Sequence, residues 1–183
     1  MGNSKEISGY RRSEVLFSEE AITERVRILA KKIVSETRGG ELLAVGILNG
    51  AVIFLSDLLR CMSPDLDVRM DFMSVSSYGD AAKSSGVVRI LKDLGSDIEG
   101  KNVLIVEDII DTGLTLSYLL DILRARRPSS LRTCVLLDKR EKREVAVNVD
   151  YCGFTIPDVF VVGYGLDCAG KWRHLPSICA VEF

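Results

Sequence analysis

The chain of 183 residues has a single histidine, His174, and no Cys-x-x-Cys pair. Its five cysteines, Cys61, Cys134, Cys152, Cys168 and Cys179, lie far apart, which speaks against a zinc site and a compact disulfide framework and points to a reducing, cytoplasmic setting. His174, on a tail with one other cation beside it, reads as a surface residue rather than a general base. No apolar run approaches the roughly 18 residues that cross a bilayer, and the polar Met1–Glu14 segment lacks the hydrophobic core of a secretion signal. A soluble protein with no membrane partner is expected. The terminal Ala180-Val181-Glu182-Phe183 matches no common carboxyl-terminal sorting signal. Neither charge sign is in large excess: the net charge is −2 and the pI about 5.6. No basic field therefore invites nucleic acid, and any phosphate binding must come from local geometry. Repeats, low-complexity tracts and linkers are also missing, so residues 1–183, at 47% hydrophobic content, are expected to form one domain around one substantial core.

Ser18-Glu19-Glu20 offers a helix cap with acids in the first turn, and Ile22, Val26, Leu29 and Ile33 follow at helical spacing until Gly39-Gly40. Leu42–Ile47 is expected as a buried strand and Ala51–Leu59 as a helix. Val68, Met70 and Phe72 alternate with Arg69 and Asp71, the pattern of a strand with one wetter face. Residues 75–86 carry four serines, two glycines and a lysine around Tyr78, too polar to bury, and are expected to form a mobile loop. Val87–Leu91, Asn102–Val106 and Leu131–Leu137 read as further strands, Leu116–Arg126 as a helix ended by Pro128, and Lys139–Glu144 as a solvated turn. Val159–Val162 reads as a short strand before an irregular tail. This alternation predicts an α/β fold, a mainly parallel central sheet flanked by helices with right-handed crossovers.

The densest chemistry lies between Val103 and Thr115. Val103–Val106 suits a parallel strand covered on both faces, and ligands of such sheets collect at the carboxyl ends of the strands, so Glu107, Asp108 and Asp111 are expected at that rim. Asp111-Thr112-Gly113-Leu114-Thr115 then supplies amides, two hydroxyls and an unhindered glycine before a helix, which is the chemistry of a phosphate site. A plainer alternative has Glu107 and Asp108 solvating a strand end and Asp111 capping a helix. It leaves the coincidence of three acids with Gly113 and both threonines unexplained. Leu48-Asn49-Gly50-Ala51 also follows a strand and precedes a helix. Asn-Gly by itself reads as a turn, one of its commonest settings, though these amides could form a second anion site opposite the first.

The Val103–Thr115 motif resembles, nearly residue for residue, the phosphoribosyl diphosphate-binding signature of type I phosphoribosyltransferases. Leu48-Asn49-Gly50 is similar to the pyrophosphate loop of the hypoxanthine-guanine members, and the resemblance implies a cis peptide between Leu48 and Asn49. The family often has a basic residue where Asn49 stands, so a possible charge near pyrophosphate is missing. Ser76-Ser77-Tyr78-Gly79 resembles the mobile catalytic loop, implying that Ser77 and Tyr78 cover the diphosphate end during reaction; a lone aromatic among small polar residues suits such a lid. Lys139 would otherwise be one more solvated cation and Phe160 ordinary core, but Ile156–Asp167 resembles the family's purine-binding strand. A 6-oxopurine offers a carbonyl oxygen, a flat face and N–H groups. The resemblance has Lys139, the Phe160 ring and the Val161 backbone meet these in turn, with Asp167 beside them. It also implies metal contacts from Glu107, Asp108 and Asp167, few carboxylates being enough for Mg²⁺. Arg173 matches the family's arginine that reaches pyrophosphate, a role its guanidinium fork suits.

Together these pieces span roughly residues 15–180 in family order. The resemblance implies a type I phosphoribosyltransferase fold with a small hood formed from the N- and C-terminal segments, assembled as a homodimer or homotetramer. The implied activity joins hypoxanthine or guanine to 5-phosphoribosyl 1-diphosphate with Mg²⁺, giving IMP or GMP and pyrophosphate. Leu48, Asn49, Gly50, Asp111, Thr112, Gly113, Leu114, Thr115 and Arg173 would hold phosphate or pyrophosphate, Glu107 and Asp108 the ribose hydroxyls. Asp111 would handle the proton on purine N7. Two rivals stand beside this: a regulator on the same fold that binds nucleic acid, against which the acidic balance weighs, and a transferase that prefers xanthine.

Overall fold

The structure is a computed structural model that describes residues 11–37, 40–78 and 87–182. In chain order its elements are β1 (Arg11–Phe17), α1 (Glu19–Glu36), β2 (Leu42–Leu48), α2 (Ala51–Arg60), β3 (Val68–Tyr78), β4 (Val87–Lys92), β5 (Asn102–Ile110), α3 (Leu114–Ala125), β6 (Ser130–Asp138), β7 (Tyr151–Thr155), β8 (Val161–Val162) and β9 (Ile178–Glu182). The Ser18 hydroxyl accepts from the Ala21 amide at 3.3 Å and so caps α1. The face of α1 carrying Ile22, Val26, Leu29 and Ile33 is buried, as its 3.6-residue spacing requires. This helix ends at Glu36, and Gly39 of the expected stop lies outside the described residues.

The unbroken apolar runs of β2, β5 and β6 are buried on both faces because helices cover both sides of the sheet. On one face Leu29, Ile33, Phe54 and Leu58 pack with Ala44, Leu104 and Leu136. On the other, Leu116, Leu119, Leu120 and Leu123 of α3 meet Val45, Val103, Ile105 and Val135. Burying each such side chain contributes about 1.5–3 kcal/mol. The sheet has six strands in the order β4-β3-β2-β5-β6-β7. All neighbours are parallel except β3 and β4, so the mainly parallel α/β fold stands. A second sheet, β1-β9-β8, joins the two ends of the chain as a hood. Among the described residues, no helix is long and apolar enough to cross a membrane.

Several boundaries differ from the periodicity. Residues 75–78, expected in a loop, continue β3, because Ser76, Ser77 and Tyr78 pair with Arg89, Val88 and Val87 of β4. Cross-strand pairing holds these polar residues where burial would not. Residues 79–86 of that segment, and the side chains of Ser77 and Tyr78, lie outside the described residues. The tail expected to be irregular contains β9, and β7 was not signalled at all. Gly153 interrupts the β7 pattern for a steric reason: a Cβ there would stand 2.4 Å from the Leu136 carbonyl oxygen.

Candidate active site

From β2 the chain leaves through α2 to β3, and from β5 it leaves through α3 in the opposite direction to β6, so a crevice opens at the carboxyl ends of β2 and β5. Three loops meet there, and two glycines let them do so. The Leu48–Asn49 peptide is cis; Asn49 is exposed and Gly50 buried. A Cβ on Gly50 would stand 1.6 Å from Asp108 Oδ2. On its other side Gly165, with φ +103°, is so close that its own Cβ would stand 2.1 Å from the Gly50 carbonyl oxygen. The loop after β2 is thus clamped between Asp108 and Gly165, and neither contact tolerates a side chain.

Strand β5 runs four residues past its expected end, through both acids and on to Ile110. Adjacent strand residues point to opposite faces, and the two acids part accordingly. Glu107 lines a cavity of about 120 Å³ with Ile109, Asp111, Thr112, Gly113 and Thr115. Its Oε2 is enclosed, with no hydrogen-bond partner among the described residues. Burial, and then the neighbouring Asp108 charge, push its carboxyl well above the usual range. Asp108 faces Gly50 and accepts from the Ile109 amide at 2.9 Å. Burial, with a smaller push from the Asp167 charge, raises its pKa to about 6 against the lowering effect of that amide and of Arg173.

Gly113 sits at φ +86° as the cap of α3, which begins at Leu114 rather than at Leu116. The first-turn amides of α3 therefore border the smaller cavity, the local arrangement that binds phosphate. The segment after β6 braces this loop. Glu144 and Val145 amides donate to the Thr112 carbonyl at 2.9 and 3.3 Å, and a Cβ on Gly113 would stand 3.2 Å from the Val145 carbonyl oxygen. Arg143 anchors that segment by donating to the buried Asp138 carboxylate at 2.8 Å.

A larger cavity of about 530 Å³ lies on the Asp108 side, lined by Asp111, Lys139, Lys142, Phe160, Val161 and Asp167 among others. Lys139 is only 6% exposed, which overturns the solvated alternative. Its Nζ donates to Asp158 Oδ1 at 3.0 Å and lies 3.9 Å from Asp111 Oδ1. Phe160 is 40% exposed, so its ring belongs to the cavity wall and not to the core. Arg173 pairs with Asp167 and donates to the Gly165 carbonyl at 2.6 Å, tying the C-terminal segment around the Gly50 clamp. His174 is exposed. Among the described residues no group of three or more His, Cys, Asp or Glu is arranged to hold a metal ion. A divalent cation already carried by phosphate oxygens needs fewer protein donors. Asp108 and Asp167, near enough to sense one another's charge, and the orphaned Glu107 Oε2 fit that demand.

The expected phosphate, acidic and base-facing residues thus share one crevice, whereas Ser77 and Tyr78 lie on β3 with side chains outside the described residues. One cavity residue, Lys142, was hidden in the charge run. Its Nζ donates to Asp111 Oδ2 at 3.0 Å. No spacing signal marked it, because its partners come from the loop after β5 and from the segment before β8.

The profile of the phosphoribosyl transferase domain matches residues 14–169. The chain is 50% identical over 179 residues to the hypoxanthine-guanine phosphoribosyltransferase of Aquifex aeolicus, covering 97% of this chain and 99% of that one. To the hypoxanthine-guanine phosphoribosyltransferase of Dictyostelium discoideum it is 51% identical over 167 residues, covering 90% and 93%. A crystal structure of a hypoxanthine-guanine phosphoribosyltransferase from Bacillus anthracis is similar with a TM-score of 0.87 and 46% identity, covering 92% of this chain and 98% of that one.

Proposed function

The chain belongs to the phosphoribosyltransferase family, and from that premise we propose that it joins hypoxanthine or guanine to 5-phosphoribosyl 1-diphosphate, giving IMP or GMP and pyrophosphate in purine salvage. The observation that carries the base assignment is Lys139, a nearly buried ammonium on the wall of a cavity that also presents the Phe160 ring. An ammonium there donates to the O6 of a 6-oxopurine, and the ring stacks on the flat base. The Val161 backbone and Asp167 complete that wall.

The 5′-phosphate occupies the smaller cavity, held by Thr112, Gly113, Leu114 and Thr115 largely through amides, so Leu114 needs no particular side chain. Glu107 and Asp108 hold the ribose hydroxyls and lie close to the positive charge that develops at C1. Leu48, Asn49, Gly50 and Arg173 receive the pyrophosphate, with Ser77 and Tyr78 covering it from water. Asp108 and Asp167 would hold Mg²⁺, which would supply charge neutralisation at the leaving pyrophosphate. As N9 bonds to C1 and the C1–oxygen bond to pyrophosphate breaks, Asp111 takes the proton from N7.

The decisive measurement is pyrophosphate release with phosphoribosyl diphosphate, Mg²⁺ and each of hypoxanthine, guanine and xanthine separately. Hypoxanthine and guanine are expected to support turnover, and a clear preference for xanthine would overturn the base assignment. Asp111→Asn should fold normally and lose about 10²–10⁴-fold in turnover; near-normal turnover sinks its assignment. Release from no base, together with salt-sensitive binding to nucleic acid, would favour a regulator on this fold. A homodimer or homotetramer belongs to the same reading, and sedimentation distinguishes it from a monomer.

A further inference from the structure

Lys142 has no part in the chemistry just described, although it holds the residue at its centre. It lies on a short 3-10 turn, Arg140–Lys142, after β6. A lysine in such a turn is ordinarily solvated, but this one lines the larger cavity. Its Nζ donates to Asp111 Oδ2 at 3.0 Å and lies 3.3 Å from Asp158 Oδ1. The other Asp111 oxygen, Oδ1, is enclosed and has no hydrogen-bond partner among the described residues, with Lys139 Nζ standing off at 3.9 Å. Asp111 thus lines the base cavity with its carboxylate tied at Oδ2. A base held in place by a third group is the general logic of catalytic triads.

We propose that Lys142 is a positioning residue for purine transfer: by holding Asp111 Oδ2 it fixes the carboxylate on the wall of the base cavity, where Asp111 accepts the N7 proton. The inference rests on the reading of Asp111 as proton acceptor. In the balanced step N9 bonds to C1 of the ribose, and the C1–oxygen electron pair leaves with pyrophosphate. The N7–H electron pair stays in the purine ring as the proton passes to the Asp111 carboxylate. Lys142 keeps all its protons throughout, and its hydrogen bond to Asp111 holds its pKa above the ordinary lysine value. Asp158 serves both lysines. It gives Lys142 a second anchor and, at 3.0 Å from Lys139, keeps that ammonium from closing on Oδ1.

The test measures kcat and both KM values for Lys142→Met and Lys142→Arg, each in the parent and in the Asp111→Asn background. Lys142→Met should lower kcat about 10–100-fold, the scale of a misplaced reacting group. Both KM values should stay within about threefold, since binding itself is spared. Lys142→Arg should recover most of the loss, because its guanidinium still donates to Oδ2. In the Asp111→Asn background Lys142→Met should add nothing, as the group it positions is gone. A purine with an electron-withdrawing 8-substituent, whose N7 proton is more acidic, should shrink the loss; a merely structural lysine would not respond to base acidity. An unchanged kcat, equal losses in the two backgrounds, or a raised KM for base alone would overturn the proposal. Near-parent turnover of Asp111→Asn by itself would instead remove the Asp111 reading on which it stands. Should Lys142→Met not fold, Lys142→Gln against Lys142→Arg makes the same comparison.

Discussion

Replacing Gly50 by alanine would put a methyl carbon 1.6 Å from Asp108 Oδ2 and 2.5 Å from its Cγ, well inside van der Waals contact. The backbone has little room to retreat, since the Gly50 carbonyl already lies against Gly165. Asp108 must therefore swing away and give up its 2.9 Å bond from the Ile109 amide. Overpacking of this kind costs about 1–3 kcal/mol. At about 2–4 °C per kcal/mol for a domain of this size, the melting temperature should fall by about 2–12 °C. Activity should suffer more. With Asp108 in its proposed place at the ribose, a displacement of an ångström or more should cost about 10²-fold in kcat/KM. The assay pairs differential scanning fluorimetry with pyrophosphate release, using Gly100→Ala as control. Gly100 also has a positive φ, +71°, but nothing among the described residues lies within 4 Å of its added Cβ. The control should lose about 1 kcal/mol from backbone strain and keep full activity. If Gly50→Ala behaved like Gly100→Ala, the clamp between Asp108 and Gly165 would be refuted.

Gly165→Ala should destabilise more than Gly50→Ala, because its φ of +103° is strained for any side chain and its Cβ meets backbone, 2.1 Å from the Gly50 carbonyl oxygen; equal melting temperatures would count against this. Asp108→Asn should stabilise the free protein at pH 7.5 by about 1–3 kcal/mol. A carboxyl raised to about 6 binds its proton more tightly folded than unfolded, so the Asp108 carboxyl favours folding in acid and turns against it as pH rises through 6. The gain should therefore vanish near pH 4, and melting curves that show it undiminished there would contradict the burial of Asp108. By the same titration, binding of Mg²⁺-phosphoribosyl diphosphate, measured by calorimetry, should weaken as pH falls below 6 and Asp108 takes up its proton. Lys139→Ala should weaken purine binding far more than phosphoribosyl diphosphate binding; equal losses would remove its proposed contact with the base.

What was legible in the sequence followed from local chemistry. The buried runs of β2, β5 and β6, the Ser18 cap and the glycine before α3 each declare themselves within a few residues. The hood strands β1 and β9 do not. Arg11 pairs with Glu182 across nearly the whole chain, and neither strand has a periodic signal of its own. Strand β3 ran on through serines because β4 pairs with it, a partnership that residue type alone does not encode. At the site, Asp108 and Glu107 were visible as a pair, but their separation into two cavities required the pleat to be known through Ile110. Lys142 was masked because a run of charged residues normally belongs to solvent, and only the fold brings Asp111 and Asp158 to it.

The hydrogen bonds from Glu144 and Val145 to the Thr112 carbonyl make the turn that carries Lys142 and the proposed phosphate loop a single brace. A ligand that steadies one end steadies the other. Whatever free energy the sugar phosphate gains from an already seated purine, the purine must gain equally from an already seated sugar phosphate. Cooperativity between the substrates can thus arise within one subunit through two backbone amides, with no requirement for a change in assembly.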